Sequence, residues 1–257
     1  RCGSSSGGSR LLAALGFSFV LCTASGAIGD GALVLIDQQE SVDGGLVIGE
    51  VDLTGAAEWC GAPASATEVT AVTDRGGEPV PVQLIRAAFD EPDGRRLAGT
   101  LVMRLPAGSD GRLRLQFREP RPTVQNHEWG GQVRLREATI THDAAKQSGF
   151  PSRIIFADGK TVEGYHWNDR LFDKARGSYG LIFDPAAKVE RLAEGPIGTV
   201  VRVTSRYLNS KGAAPPSAPR AVYDWFYVAN EPLVWVRATI RQRQVDRWPE
   251  IHFLEFN

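Results

Sequence analysis

Cysteine and methionine are scarce in this chain, neither sign of charge is in excess, and the helical 3.6-residue period is thinly represented. Its 257 residues include three cysteines and one methionine, Met103. No CxxC pair and no Cys/His spacing is present, so a structural zinc site is not indicated. The 29 basic and 30 acidic residues nearly cancel, and the only concentration of one sign is Arg112, Arg114 and Arg118, alternating along one segment. Without a basic stripe there is no footprint for nucleic acid. GxGxxG, GxxxxGK[ST], HExxH and GxSxG are all missing, which leaves nucleotide enzymes, zincins and α/β-hydrolases without support. These absences leave the cofactor unknown and name no metal.

The remaining composition is that of an ordinary globular chain, 42% hydrophobic and 23% charged, long enough for one large or two average domains. At its start, Arg1 and Arg10 flank a Ser/Gly segment, an apolar run occupies residues 11–22, and small residues fill 23–27. That order reads as an export signal over residues 1–26, with cleavage near Ala27 and a secreted or periplasmic destination. The run is shorter than the about 20 residues a membrane span needs, so contact with a membrane is expected only through the signal. Leu21 before Cys22 argues against a lipoprotein. Cleavage removes Cys2 and Cys22 and leaves Cys60, either buried and inert or paired with a partner beyond the visible end. Because the chain opens on Arg1 and closes inside the apolar run 253–257, the reading is of a fragment at both ends.

Period-two alternation then recurs along the chain, which predicts an all-β fold of two sandwich-like units, residues 27–119 and 120–257. The boundary is placed where Pro120 and Pro122 interrupt the strands. In the first unit, residues 97–105 and 112–118 alternate around the turn 106–111, predicting a hairpin with one wet face. A second strand-turn-strand pair is read over residues 68–73 and 80–89.

The second unit is expected to hold a long hairpin, residues 220–228 and 233–243, turning on Asn230-Glu231. Centred there, Phe226 faces Trp235, Asp224 faces Arg237 and Val222 faces Thr239. One side then carries Tyr223, Trp225 and Tyr227 and is read as core. The other, with Asp224, Trp235, Arg237 and Arg241, is read as either a solvated surface or the wall of a cleft.

Three further segments carry candidate chemistry. Residues 164–170 read as a loop that brings Tyr165, His166 and Trp167 together with Asn168 and Arg170, a composition suited to stacking on and hydrogen-bonding to sugars, or to anchoring a connection. Near the end, alternation puts Glu250, His252 and Leu254 on one face of a strand, and Ile251, Phe253 and Glu255 on the other. Glu250 and His252 are candidate acid and base, or metal ligands with a third from elsewhere, and a charged Glu255 among apolar neighbours implies a site or a sheet edge. His142-Asp143 reads as the start of a short helix over Ala144, Ala145 and Lys146.

Two of these patterns resemble known domains. Residues 72–84, with Asp74, Gly76, Gly77, Val80, Pro81 and Gln83, look like a hairpin of the accessory β-domains in exported polysaccharide-degrading enzymes. The long hairpin is similar to the paired strands of the galactose-mutarotase-like supersandwich of glycoside hydrolases and polysaccharide lyases. The resemblance implies a truncated supersandwich in the second unit and a polysaccharide or oligosaccharide partner. An enzyme of this kind is expected to use His252, Glu250, His166 and Tyr165 catalytically, with Arg237 taking an anionic sugar group. In a noncatalytic binding or structural module, Trp235, Trp167 and Trp248 stack on sugar rings or seal a domain interface.

Overall fold

The structure, a computed structural model, describes residues 19–21, 32–36, 45–66, 68–86, 97–119 and 129–256. Most of the expected signal segment, Cys2 and Cys22, the end of the 80–89 strand and the Pro120/Pro122 boundary lie outside the described residues.

The fold is all-β, built from several antiparallel sheets. The first part of the chain supplies β1 (Phe19–Leu21), β2 (Ala32–Ile36), β3 (Leu46–Asp52), the short helix α1 (Thr54–Trp59), β4 (Glu68–Thr73), β5 (Pro79–Val80), β6 (Val82–Arg86), β7 (Ala98–Arg104) and β8 (Arg112–Arg118). Two sheets result, β1-β2-β8-β4-β5 and β3-β7-β6, and they face each other across one core. Leu101 and Met103 from β7 meet Leu113 and Leu115 from β8 there, with Val69, Ala71 and Val47. Alternation explains the choice of side, since every second residue of a strand points to the same face.

The expected 97–118 hairpin is corrected by this arrangement. β7 pairs with β3 and β6, whereas β8 pairs with β2 and β4, so the turn between them arches from one sheet to the other. Nor does β7 have a wet face: Thr100, Leu101, Val102 and Met103 are all buried. The strand-turn-strand unit after residue 68 is present in shortened form, with Ala71 opposite Val80 and Val72 opposite Pro79.

The second part supplies β9 (Gln132–Arg134), β10 (Ala138–His142), β11 (Pro151–Phe156), β12 (Thr161–Glu163), β13 (Trp167–Asp173), β14 (Gly177–Gly180), β15 (Lys188–Glu194), β16 (Gly198–Arg206), β17 (Arg220–Val228), β18 (Val234–Arg241) and β19 (Glu250–Phe256). They form the sheets β12-β11-β10-β9, β14-β13-β19 and β15-β16-β17-β18. The predicted register of the long hairpin is found pair by pair, Phe226 with Trp235, Asp224 with Arg237 and Val222 with Thr239. Asn230 takes a positive φ of 64° in its turn, a conformation asparagine tolerates better than most residues.

Tyr223, Trp225 and Tyr227 are buried as expected, in a core shared with Phe150, Leu171, Tyr179, Val201 and Val203. The opposite face of β17 is buried too, which corrects the reading of a solvated surface or open cleft. Phe226, Val228 and Val200 pack against Ile85 of β6 and Val102 of β7. β17 is therefore the middle of a stack: the β3-β7-β6 sheet covers one side, and the β9–β12 and β13/β14/β19 sheets cover the other.

Asp224, Arg202 and Arg237 are paired at this inner boundary, while both polar atoms of the Gln83 side-chain amide are buried without a hydrogen-bond partner among the described residues. Asp224, 1% exposed, receives both Nε and Nη2 of Arg202 at 2.7 and 2.9 Å. Arg202 also donates to the Arg86 carbonyl at 2.7 Å. Arg237, although opposite Asp224 in register, reaches across the boundary to Thr100 Oγ1 at 2.7 Å and Glu50 at 3.3 Å. At the rim, Arg104 meets Glu231 at 2.6 Å.

Candidate functional site

The outward face of the β14-β13-β19 sheet gathers His252, Glu250, Glu255 and Arg170, ionisable groups with solvent access. β13 and β19 run antiparallel with Arg170 opposite His252 and Phe172 opposite Glu250. Further along, Asn168 stands opposite Glu255. Between these pairs, Phe253 and Leu254 together face the single residue Asp169, so β19 carries a bulge. Leu254 at the bulge has a positive φ of 48°. For a side chain like leucine that conformation costs on the order of 1–3 kcal/mol and persists only where surrounding contacts hold it.

The bulge overturns the simple alternation expected of residues 250–255. Glu255 lies on the same side as His252 rather than opposite it, and its carboxylate meets the imidazole Nδ1 at 2.6 Å. Glu250 approaches Nε2 at 3.5 Å. Asn168 donates its amide to the second oxygen of Glu255. With a carboxylate at each nitrogen, both imidazole N–H groups have acceptors, and the doubly protonated ring is favoured. The Glu255 hydrogen bond is the main cause that raises the His252 pKa; burial opposes it and Glu250 adds to it. Glu255 is correspondingly held below the usual carboxylate range by His252, and Asn168 helps.

Beneath this face Asp169 points inward, where it is 4% exposed. Tyr207 donates to its Oδ1 at 2.7 Å, and the Tyr223 hydroxyl donates to Oδ2. The Leu254 amide donates to the same Oδ2 at 3.3 Å. Burial raises the pKa of Asp169, and the two phenols and the amide counteract it. Burial next to this carboxylate also pushes the phenols of Tyr207 and Tyr223 far up.

The other predicted site residues are dispersed. β13 begins at Trp167, so residues 167–170 are strand rather than loop. His166 is exposed just before it. Tyr165 turns inward instead, its ring 4.7 Å from that of Phe256, and its buried hydroxyl has no hydrogen-bond partner. Trp167 donates its indole N–H to the Pro151 carbonyl at 2.7 Å and crosses edge-on to Trp225. Trp235 packs on the boundary with the first sandwich, and Arg237 is engaged there with Thr100 and Glu50. Trp248 lies under the Arg176 guanidinium, 4.2 Å from the ring centroid, and donates to Gln242 at 2.9 Å. Only His252 and Glu250 are brought together among the four predicted catalytic residues.

No protein-family model, curated protein or solved structure matches this chain. Among the described residues no three His, Cys, Asp or Glu side chains are grouped to hold a metal ion, and no helix is long and apolar enough to cross a membrane.

Asn168 and Arg170, expected in a loop, and Glu255, expected on the opposite face, stand beside His252 on this sheet, and the buried Asp169 beneath them is the neighbour that sequence reasoning gave no role. Asn168 and Arg170 share a pleat side two residues apart, and that spacing is the signal that could have found them. A second missed group is His142, expected only at the start of a helix. Residues 143–146 form a turn instead, and His142 ends β10 fully inside the core. Its Nδ1 is 2.7 Å from the Gly149 carbonyl, so that nitrogen carries the proton, and Nε2 accepts from the Tyr227 hydroxyl. Burial lowers its pKa to about 4. A neutral, fully bonded imidazole in this position joins β10 to β17.

Proposed function

We propose that this protein is exported and acts on a polysaccharide by acid–base cleavage of a glycosidic bond, with the outward face of the β13/β19 pair as its working surface. The observation that carries this reading is His252, with a carboxylate 2.6 Å from one ring nitrogen and another 3.5 Å from the other. A protonated imidazole supplies a proton to a leaving oxygen, while Glu250, further from the ring and half exposed, is free to accept one from water or from a sugar carbon. Arg170, opposite His252, supplies a fixed positive charge for a uronate or sulfate group. An open sheet face suits a polymer better than a small molecule, which wants a concave pocket.

Cleavage is measured as reducing-end release and as absorbance of the unsaturated uronate, over neutral and uronate-containing polysaccharides. Reducing ends alone identify hydrolysis, and both signals identify β-elimination. His252→Ala is expected to lower the rate about 100-fold or more, the usual worth of a positioned general acid. An active protein whose rate is unmoved by His252→Ala sinks the assignment.

The tryptophans favour a second reading, a noncatalytic sandwich module. Trp167 and Trp235 are used in packing and Trp248 is capped by Arg176, which leaves them sealing the fold. Absence of turnover on every polysaccharide, with the fold intact, selects this alternative.

A further inference from the structure

We propose that Asp169 is a positioning residue for the His252 cluster: it grips the Leu254 amide, holds the bulge in β19, and so turns Glu255 onto the face that carries His252. The inference rests on the reading of that cluster as the working surface, and it adds a residue that touches neither the cluster nor any substrate placed on it.

Three observations meet in it. First, an unbulged β19 would send Glu255 to the side opposite His252, because successive strand residues alternate. It lies on the same side only because Phe253 and Leu254 share one partner, Asp169. Second, Leu254 occupies the left-handed region with φ 48°, which a leucine does not choose for itself. Among the described residues β19 is an edge strand, and no further strand on its outer side imposes the distortion. Third, the Leu254 amide is bonded by the side chain of Asp169, through Oδ2. That carboxylate cannot swing away, since Tyr207 holds one oxygen and Tyr223 the other from within the core. The chain of contacts therefore runs from two buried phenols to a buried carboxylate, from there to a backbone N–H, and then by one peptide unit to Glu255. Strained backbone of this kind, held from outside the strand, is what a prearranged site requires.

The titration of His252 reads the arrangement without any substrate. The charged groups around the ring are Glu255 and Glu250 on its own strand and Arg170 on β13. NMR titration of the ring is compared in the wild type, Glu255→Gln, Asp169→Asn and the double variant, with thermal unfolding as a check on the fold. The His252 pKa is expected to fall in Glu255→Gln, to fall by the same amount in Asp169→Asn, and to fall no further when the two are combined. A folded Asp169→Asn that keeps the wild-type His252 pKa overturns the proposal.

Two measurements leave the buried Asp169 in place should Asp169→Asn not fold. Hydrogen exchange on the wild type should show the Leu254 amide about tenfold slower than that of Phe253 beside it. Leu254→Val, whose β-branched side chain resists the left-handed region, should lower the His252 pKa as Glu255→Gln does. Equal exchange at 253 and 254, or an unmoved His252 in Leu254→Val, overturns the proposal as well. Loss of polysaccharide turnover plays no part in these readouts, so the positioning role and the proposed activity fail separately.

Discussion

Urea unfolding at pH 4.5 should find the protein about 2.5 kcal/mol less stable, relative to pH 7.5, than a His142→Gln variant titrated alongside it. His142 is buried, with one nitrogen bonded to Gly149 and the other to Tyr227, and its pKa is lowered to about 4 from an ordinary 6.5. The unfolded chain therefore takes up a proton between those two values that the folded chain refuses. Stability due to this residue is complete above about pH 6.5, falls as the pH drops through that window, and levels off below about 4. Glutamine keeps an acceptor for Tyr227 and a donor for Gly149 but never charges. The difference between the two proteins isolates the imidazole from the carboxylates that titrate in the same range. Parallel loss of stability in both would remove His142 as the cause.

Asp224→Ala should cost about 3–5 kcal/mol, seen as a lower urea midpoint at constant slope. The carboxylate is 1% exposed and takes both donors of the Arg202 fork. Truncating it strands a guanidinium that is itself largely inside. Breaking such a pair is far more damaging than replacing it entire, so Arg202→Met combined with Asp224→Leu should recover most of the loss. If both single variants and the double variant are equally destabilised, the pair itself is not what holds that boundary.

How legible these features were in the sequence depends on the kind of residue that carries each. The β17–β18 register follows from the alternation of Tyr223, Trp225 and Tyr227 and from Asn230 at the turn, and both are local signals. On the face carrying Asp224 the single charge signals water, whereas Val222, Phe226 and Val228, which share its side, signal burial, and burial prevails. The arch between β7 and β8 was not readable at all: Gly108 and Gly111 specify a reversal of direction, not whether the chain rejoins the same sheet. His142 could have been recovered from Ile140, two residues earlier on the same side of β10. Leu254 offered nothing, because a glycine or asparagine announces a left-handed residue and a leucine conceals it. The His252–Glu250 pair was visible by spacing alone, whereas Glu255 joined it through that concealed distortion.

The burial of both sides of β17 makes that strand a party wall with a tenant on each side. Cut the chain near residue 120 and express the halves apart, and Ile85 and Val102 on one piece would face water, as would Val200, Phe226 and Val228 on the other. Each half would carry a sticky, strand-edged surface that the intact chain never shows, so the two sandwiches are best regarded as housemates that cannot be moved separately.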